Sequence, residues 1–354
     1  MELGSEYNLS LDALNIVEDN ISTYLSDYLN VFYFDSGRSA LKHLICHLDS
    51  FESVLLPEYI CESVSDCFEK SNITFYSLKE DFSVDLDDIK EKIGNNKAII
   101  FFMHYFGSLQ PSNILEEIRS LADATNSVII EDTTHSIFSC KQTIGDYMIC
   151  SIRKWLPIPG GGVLYYKQNR CDIREPLYSK SIDNGRSYGM ILKDIFIKKG
   201  FDCNSEYRAI FKESEERLDK QKECLLISDF AMFISSCISI KKIKEKRKQN
   251  YLYLKNEMEK RGIYPAVPLR SEEVPLVYPL RIHNNRNNLR SYLMHNHIYC
   301  AVHWPFDGFK SEDRHFAKRN AEELISLPID QRYDEAHVQY MVDTLNQYGG
   351  DLLF

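Results

Sequence analysis

Short runs of β-branched and aromatic residues alternate with segments of helical periodicity from about residue 30 to residue 167. This alternation is typical of a parallel sheet with helices on both faces. The run at residues 98–103, Ala-Ile-Ile-Phe-Phe-Met, is apolar throughout, as expected of a central strand that is covered on both faces. This part of the chain is therefore predicted to have an α/β fold.

The pattern changes after residue 167. A polar stretch with little periodicity extends to about residue 210, and a segment rich in helix formers and basic residues follows at 213–260. Beyond residue 262, two strands and a closing helix predict a small α+β domain. The chain is thus expected to divide into a large domain, residues 1–245, and a small C-terminal domain, residues 246–354.

The predicted strands are 53–56, 73–78, 97–103, 127–131, 162–166, 277–282 and 298–302, and the predicted helices are 39–48, 59–70, 85–93, 112–125 and 334–348.

Charge and cysteine usage exclude several classes of protein. The 52 acidic residues outnumber the 42 Lys and Arg, which argues against nucleic-acid binding. No apolar run approaches the ~20 residues that span a bilayer, and the acidic N-terminus does not resemble a secretory signal, so we expect a cytoplasmic protein with no membrane partner. The ten cysteines are scattered without a C-x-x-C pair, which predicts reduced thiols and no metal site. The basic run Lys241–Lys248 is interpreted as a solvated helix face.

Residues 35–41, Asp-Ser-Gly-Arg-Ser-Ala-Leu, form a turn of small residues that opens a predicted helix. Free backbone N–H groups at a helix N-terminus, next to a Gly and hydroxyl groups, can bind a phosphate. A plain N-cap would explain the same residues. Both interpretations stay open from the residues alone.

A second signal is the run Val-Ile-Ile-Glu-Asp-Thr-Thr-His at residues 128–135, in which a buried strand ends in a carboxylate. Ligands of open parallel sheets bind at the carboxyl ends of strands, where Asp132 would lie. The alternative is that Asp132 caps a turn and His135 is a core histidine. His104-Tyr-Phe-Gly107, at the end of the predicted central strand, can be explained by packing.

The third signal is Ser151-Ile-Arg-Lys154-Trp155, which is followed by three consecutive glycines at 160–162. Lys154 can be a surface lysine, but its surroundings are apolar and rich in turn residues. A lysine that loses ammonium solvation has a lowered pKa and becomes a competent Schiff-base nucleophile.

Together and in this order, these residues resemble the DegT/DnrJ/EryC1/StrS family of pyridoxal-phosphate sugar aminotransferases, which have the type I aspartate-aminotransferase fold. Residues 36–41 resemble the S-G-T-x-A-L phosphate turn of the family, and residues 131–135 resemble its E-D-A-A-[QH] motif. The other similar segments are residues 56–59, 81–88, 104–107 (H-x-Y-G), 151–162 and 324–330 (around S-L-P).

The resemblance implies roles around the cofactor's ring. Lys154 would hold pyridoxal phosphate as a Schiff base and later move a proton on the substrate. Asp132 would pair with the pyridinium nitrogen, and His135 would lie near the ring oxygen. Tyr59 is a candidate to stack on the ring.

The resemblance also implies a phosphate site. Backbone N–H groups of Gly37 and Arg38 would bind the phosphate together with the hydroxyls of Ser39 and Ser151, and Ser36 opens the turn.

The function implied by this resemblance is transfer of an amino group, from glutamate as the expected donor, to a keto sugar that is expected to be nucleotide-linked. Such a reaction would serve surface polysaccharide or related glycan synthesis, and the family's fold implies a homodimer. Residues 303–305 and 332–333 are candidates to line the acceptor pocket, although domain packing would also explain them. The alternatives are an aminotransferase of small keto substrates and a non-catalytic cofactor-binding regulator. A dehydratase of the family is disfavoured, since such members replace the lysine with histidine.

Overall fold

The computed structural model describes residues 2–12, 14–139, 143–168, 171–182, 185–305 and 314–348. Its strands are β1 (Leu3–Gly4), β2 (Asn30–Phe34), β3 (Ser53–Pro57), β4 (Ile73–Tyr76), β5 (Ala98–Met103), β6 (Val128–Asp132), β7 (Tyr147–Cys150), β8 (Gly162–Tyr166), β9 (Tyr278–Arg281), β10 (Ile298–Tyr299) and β11 (Leu324–Leu327). Its α-helices are α1 (Ile21–Tyr24), α2 (Gly37–Ile45), α3 (Glu62–Ser65), α4 (Leu86–Ile93), α5 (Ser112–Ala124), α6 (Arg186–Lys199), α7 (Asn204–Lys220), α8 (Asp229–Ser236), α9 (Ile240–Glu259), α10 (Arg286–His295), α11 (His315–Glu323) and α12 (Glu335–Gln347).

Seven strands form one mixed sheet in the order β2-β8-β7-β6-β5-β3-β4. Strands β4, β3, β5 and β6 pair in parallel, whereas β8 pairs antiparallel with both β2 and β7. The predicted α/β fold with a mostly parallel sheet and flanking helices is confirmed. Five strands of this sheet were predicted from the sequence, and the short strands β2 and β7 were not.

The chain clusters into two compact units. The first contains Met1–Ser5, Ser50–Gly145 and Lys242–Phe354, and the second contains Glu6–Asp49 and Asp146–Lys241. The division at residue 245 that the sequence suggests stays a prediction. Among the described residues, no helix combines the length and the apolar character that a membrane crossing requires.

The first unit is organised around β5, in which all six side chains are buried. Its parallel neighbour β6 is likewise buried along its whole length and ends at Asp132. Helix α5 buries Ile114, Ile118 and Ala122, which are four residues apart and therefore lie on one face. A strand covered on both faces can hold polar groups only at its ends, so Asp132 occupies the position where function is expected.

The C-terminal part of the first unit has a core of its own. Strands β9 and β11 pair antiparallel, and β1 pairs with β10. Helix α12 begins with a capping box in which the Asp334 side chain accepts from the His337 N–H. Along this part of the chain, strands β9, β10 and β11 alternate with helices α10, α11 and α12, and the separate small domain stays a prediction.

In the second unit, helix α2 packs against strands β7 and β8. Ala40, Leu41 and Leu44 are buried on that helix face. Ser36 is the N-cap of α2, and its side chain accepts from the Ser39 N–H. The N-terminus of this helix is therefore defined by the first residues of the predicted phosphate turn.

Two sequence-based expectations are wrong, and in a third segment helices were not predicted. The helix predicted at 59–70 is reduced to the single turn of α3, since the backbone is still extended at Cys61 and the helix begins only at Glu62. The stretch 167–210 contains α6 and the start of α7, whose irregular pattern reflects buried polar residues such as Lys193. In the basic run of α9, Arg247 is not solvated: it is 1% exposed, and its Nη1 donates to the Leu276 carbonyl at 2.6 Å.

Candidate active site

The turn that opens α2 is buried and internally hydrogen-bonded. The Ser36 hydroxyl accepts from the Ser39 N–H at 3.2 Å and lies 3.1 Å from the Ser39 hydroxyl. Asp35, just before the turn, accepts from the Gln221 side chain at 2.7 Å. These bonds hold the first N–H groups of α2 in a fixed orientation, as an anion site requires.

Gly37 and Ser151, from two separate predicted motifs, lie against each other. A Cβ added at Gly37 would be 3.3 Å from the Ser151 Cβ. The glycine run completes the packing, since a Cβ at Gly162 would lie 2.0 Å from the Ser36 carbonyl oxygen and one at Gly160 would lie 2.8 Å from the Asp35 carbonyl oxygen. The structure therefore explains these two glycines by close backbone approach to the turn at residues 35–37.

Lys154 ends a short 3₁₀ turn, Ile152–Lys154, that follows strand β7. Ile152 and Trp155 beside it are fully buried, whereas Lys154 is partly exposed. The Tyr7 hydroxyl donates to the Lys154 carbonyl at 3.4 Å. Buried neighbours on both sides fix the backbone of a lysine whose side chain is only partly covered.

The arginines next to the predicted site are held by carboxylates. Arg38 pairs with Asp219 at 2.8 Å, so its side chain is directed to helix α7. Arg153 pairs with Glu215 at 2.6 Å, and Arg186 also pairs with Glu215. Burial tends to raise the pKa of Glu215, but the two guanidinium groups outweigh this effect and hold that pKa at about 2.

Asp132 ends strand β6 with a side chain that is 4% exposed. Its Oδ1 accepts from the Thr134 N–H at 2.8 Å. This bond orients the carboxylate, so Asp132 both ends the strand and caps the turn that follows. A role in binding a ligand stays a prediction.

His135 lies in a ring cluster. Its Nδ1 accepts from the Phe106 N–H at 3.4 Å, which places the proton of a neutral imidazole on Nε2. The Trp304 ring lies nearly parallel to it, with centroids 5.5 Å apart and 15° between the planes. The His303 ring is 5.2 Å away on edge. His303 and Trp304, which the sequence suggested for the acceptor pocket, therefore adjoin a predicted cofactor residue.

Tyr59 is 2% exposed and packs in an aromatic cluster. Its ring lies 5.1 Å from Trp304 and 5.9 Å from Tyr105. Burial raises the pKa of Tyr59. Its suggested role in stacking on a cofactor stays a prediction.

The other segment suggested for the acceptor pocket makes structural contacts. Arg332 pairs with Asp330 at 2.8 Å, and the Tyr333 hydroxyl accepts from the Gly4 N–H at 2.6 Å. These bonds favour the packing interpretation for both residues.

The predicted site residues are divided between the two compact units of the chain. The first unit holds Tyr59, Asp132 and His135. The second unit holds the predicted phosphate and lysine residues, which are Ser36, Gly37, Arg38, Ser39, Ser151 and Lys154. In the described part of the chain, no group of three or more His, Cys, Asp or Glu side chains is arranged to bind a metal ion.

Sequence reasoning missed one buried polar residue beside the site. Gln110 bonds the loops around the end of β5 and is 4% exposed. A polar residue three positions after the Gly107 turn was the only signal, and it is too common to be diagnostic.

A sequence model of the DegT/DnrJ/EryC1/StrS aminotransferase family matches residues 74–152, which include the end of β5, Asp132 and His135. The predicted resemblance to this family is confirmed. The family is one of aminotransferases, which agrees with the expected enzyme class.

Solved structures share the fold. An aminotransferase of pseudoaminic acid biosynthesis from Helicobacter pylori is 16% identical, with 98% of each chain covered and a TM-score of 0.66. A DegT/DnrJ/EryC1/StrS aminotransferase from Brucella abortus is 15% identical over 93% of this chain and 88% of its own, with a TM-score of 0.61. A Bacillus subtilis protein solved with bound pyridoxamine phosphate is 14% identical over 92% of this chain and 74% of its own, with a TM-score of 0.62. The predicted cofactor agrees with the one named for this last neighbour.

Proposed function

We propose that this chain is a pyridoxal-phosphate-dependent aminotransferase that moves an amino group from glutamate to a keto sugar. The observation that carries the proposal is the contact between Gly37 and Ser151. This contact joins two segments that the resemblance assigns to the cofactor phosphate. Ser151 also lies three residues before Lys154, the lysine that the resemblance assigns to the cofactor's aldehyde. The family match at 74–152 supports the same reaction class.

The residues present fit a phosphate. Helix α2 directs the N–H groups of its first turn outward at its N-terminus, where the helix dipole favours an anion. Gly37 and Arg38 offer backbone N–H groups, and Ser39 and Ser151 offer hydroxyls. The Arg38 guanidinium is directed to Asp219, so Arg38 contributes through its backbone.

The residues also fit a pyridine ring. When bound, pyridoxal phosphate supplies an electron sink for the substrate carbon. Asp132, whose carboxylate is oriented by the Thr134 N–H, would pair with the ring nitrogen and keep it protonated. His135 would lie near the ring oxygen, and Lys154 would hold the cofactor and move the proton on the substrate carbon. In this proposal Tyr59 would support the ring from within its aromatic cluster.

The acceptor in this proposal is a nucleotide-linked keto sugar that is used for surface polysaccharide or a related glycan. His303 and Trp304 lie against His135, and this placement favours them as acceptor contacts. We further propose that the enzyme works in the cytoplasm as a homodimer and takes only small-molecule substrates.

The test is the absorbance spectrum of the purified protein with pyridoxal phosphate, before and after addition of glutamate. We expect a visible band on cofactor binding and its loss with glutamate, because the amine form of the cofactor lacks that band. The variant Lys154→Ala should not form the band. Lys42→Ala, which removes another partly exposed lysine in the same unit, should behave as wild type.

Each outcome is informative. A wild-type protein without the band refutes the proposal, as does a Lys154→Ala protein with an unchanged band. A band that glutamate leaves intact rejects glutamate as donor and favours a non-catalytic cofactor-binding protein, unless another amino acid removes it.

A further inference from the structure

Glu131 is a fully buried carboxylate with several hydrogen-bond donors. It is 0% exposed and precedes Asp132 on strand β6. Its Oε2 accepts from the N–H groups of Ile144 and Gly145, each at 2.9 Å, and its Oε1 lies 3.1 Å from His104 Nε2. A buried carboxylate is tolerated only when it is paired in this way, so these contacts strongly constrain its position.

His104 follows β5 directly and is 1% exposed. Its Nδ1 accepts from the Gln110 N–H at 2.9 Å, so a neutral ring carries its proton on Nε2 and donates to Glu131. One tautomer therefore satisfies both partners.

Gln110 extends these bonds to the end of β5. Its Nε2 donates to the carbonyls of Met103 at 3.1 Å and Phe82 at 3.0 Å. Met103 is the residue paired with Asp132 in the β5–β6 register. The hydrogen-bonded group of Glu131, His104 and Gln110 thus joins the ends of the two central strands at the position of Asp132.

We propose that Glu131 and His104 are positioning residues for Asp132: their buried hydrogen bond, with the Gln110 bond to Met103, sets the direction of the Asp132 carboxylate. The use of that direction, to hold a cofactor's ring nitrogen, rests on the function proposed above. The bonds are all made within one unit and involve side chains that are at most 4% exposed. A small rotation of the β6 end would turn the Asp132 carboxylate away from the Thr134 N–H and weaken the hydrogen bond between them.

The experiment compares two isosteric substitutions of buried glutamates, Glu131→Gln and Glu273→Gln. Glu273 is a matched control, since it is 2% exposed and accepts from the Leu109 N–H, the Arg270 N–H and the Arg270 side chain. It accepts from the same loop as His104 does, but its described hydrogen bonds are to Leu109 and Arg270 and not to β6. Both variants should lower the midpoint of urea unfolding.

The deciding measurement is amide hydrogen exchange at Thr134 in the cofactor-free protein, since that N–H donates to Asp132. We expect Glu131→Gln to accelerate this exchange about tenfold relative to wild type, and Glu273→Gln to leave it within about twofold. In the holoprotein, Glu131→Gln should also shift the pH at which the visible absorbance of the bound cofactor changes, and Glu273→Gln should not.

Unchanged exchange at Thr134 in Glu131→Gln overturns the proposal, and so does equal acceleration in both variants. If Glu131→Gln does not fold, His104→Phe, which keeps a ring and removes both bonds, is judged by the same criteria. A wild-type protein that binds no cofactor refutes the proposed function, and exchange at Thr134 still decides the positioning role.

Discussion

Gly37 lies against Ser151, with room for only 3.3 Å between an added Cβ and the Ser151 Cβ. Two segments far apart in the chain therefore lie in contact at this point. Glycine is needed at position 37 because a side chain would crowd Ser151, and not because of an unusual backbone conformation. It keeps the N-terminus of α2 close to the segment that carries Lys154.

Gly37→Ala tests this contact. The added methyl group should push Ser151 away by a few tenths of an ångström, and the affinity for pyridoxal phosphate should fall about tenfold through a weakened charge-assisted hydrogen bond. Stability should not fall, because alanine is favoured over glycine in a helix by up to about 1 kcal/mol. Titration with pyridoxal, which lacks the phosphate, is the control: an equal loss for both ligands would contradict a role in phosphate binding.

Gly161 and Gly162, in the glycine run at 160–162, differ in what an added methyl group would contact. A Cβ at Gly162 would lie 2.0 Å from the Ser36 carbonyl oxygen and 2.5 Å from the Gly37 nitrogen, which are backbone atoms that cannot move alone. A Cβ at Gly161 would meet only the side chains of Ile152 and Ile158, at 2.8 Å. Gly162→Ala should therefore lower the free energy of unfolding by more than about 3 kcal/mol and Gly161→Ala by about 1 to 2 kcal/mol. Urea unfolding of the two variants measures the difference, and equal losses would show that the turn accommodates the methyl group.

The sequence predicted the elements whose pattern is local. Strands β5 and β6 are continuous apolar runs because both of their faces are covered, and their bounds agree with the prediction to within one residue. Strand β2 was missed because its five residues resemble any short aromatic segment and its partner β8 lies far along the chain. Helix α6 was missed because it buries Lys193, whose Nζ donates to the Glu6 carbonyl at 2.6 Å, so its apolar periodicity is broken.

In the candidate site, too, features that are local in sequence could be predicted and features that depend on tertiary packing could not. Asp132, His135 and Lys154 could be named because family motifs are local in sequence. The contact of Gly37 with Ser151 and the parallel rings of His135 and Trp304 depend on tertiary packing, to which no spacing in the chain corresponds. Arg247 shows the limit of charge patterns. A basic run predicts solvent-exposed side chains, but the Arg247 side chain is buried and donates to the Leu276 carbonyl.

Asp132→Asn separates the fold of the strand end from its charge. The asparagine Oδ1 can still accept from the Thr134 N–H, so we expect unfolding in urea to change little. Loss of the negative charge beside the ring nitrogen should slow the glutamate-driven loss of visible absorbance by about a hundredfold. Stopped-flow absorbance measures this rate, with the wild-type protein at equal cofactor occupancy as reference. A rate within about twofold of wild type would show that Asp132 has no electronic role.

His43 lies on the buried face of α2. It is 2% exposed, and its Nε2 lies 3.1 Å from the Arg174 carbonyl, so this nitrogen donates and Nδ1 accepts from the Tyr178 hydroxyl at 3.1 Å. Burial, with a smaller contribution from repulsion by His47, lowers the pKa of His43 from 6.5 to about 4. Between these two values the unfolded chain binds a proton that the folded protein excludes. Stability from this group is therefore complete above pH 6.5 and is lost as the pH falls towards 4, by at most about 3 kcal/mol.

His43→Gln keeps one donor and one acceptor and cannot titrate. Above pH 6.5 the variant should be less stable than wild type, because glutamine fills the space of the ring imperfectly. As the pH falls to about 4, wild type should lose the contribution of His43, so the difference in the free energy of unfolding should shrink by about 2 to 3 kcal/mol. Urea unfolding at a series of pH values measures this difference. His47→Gln is the control, since its side chain lies nearer to solvent, and a pH-independent difference for His43→Gln would mean that His43 is protonated equally in both states.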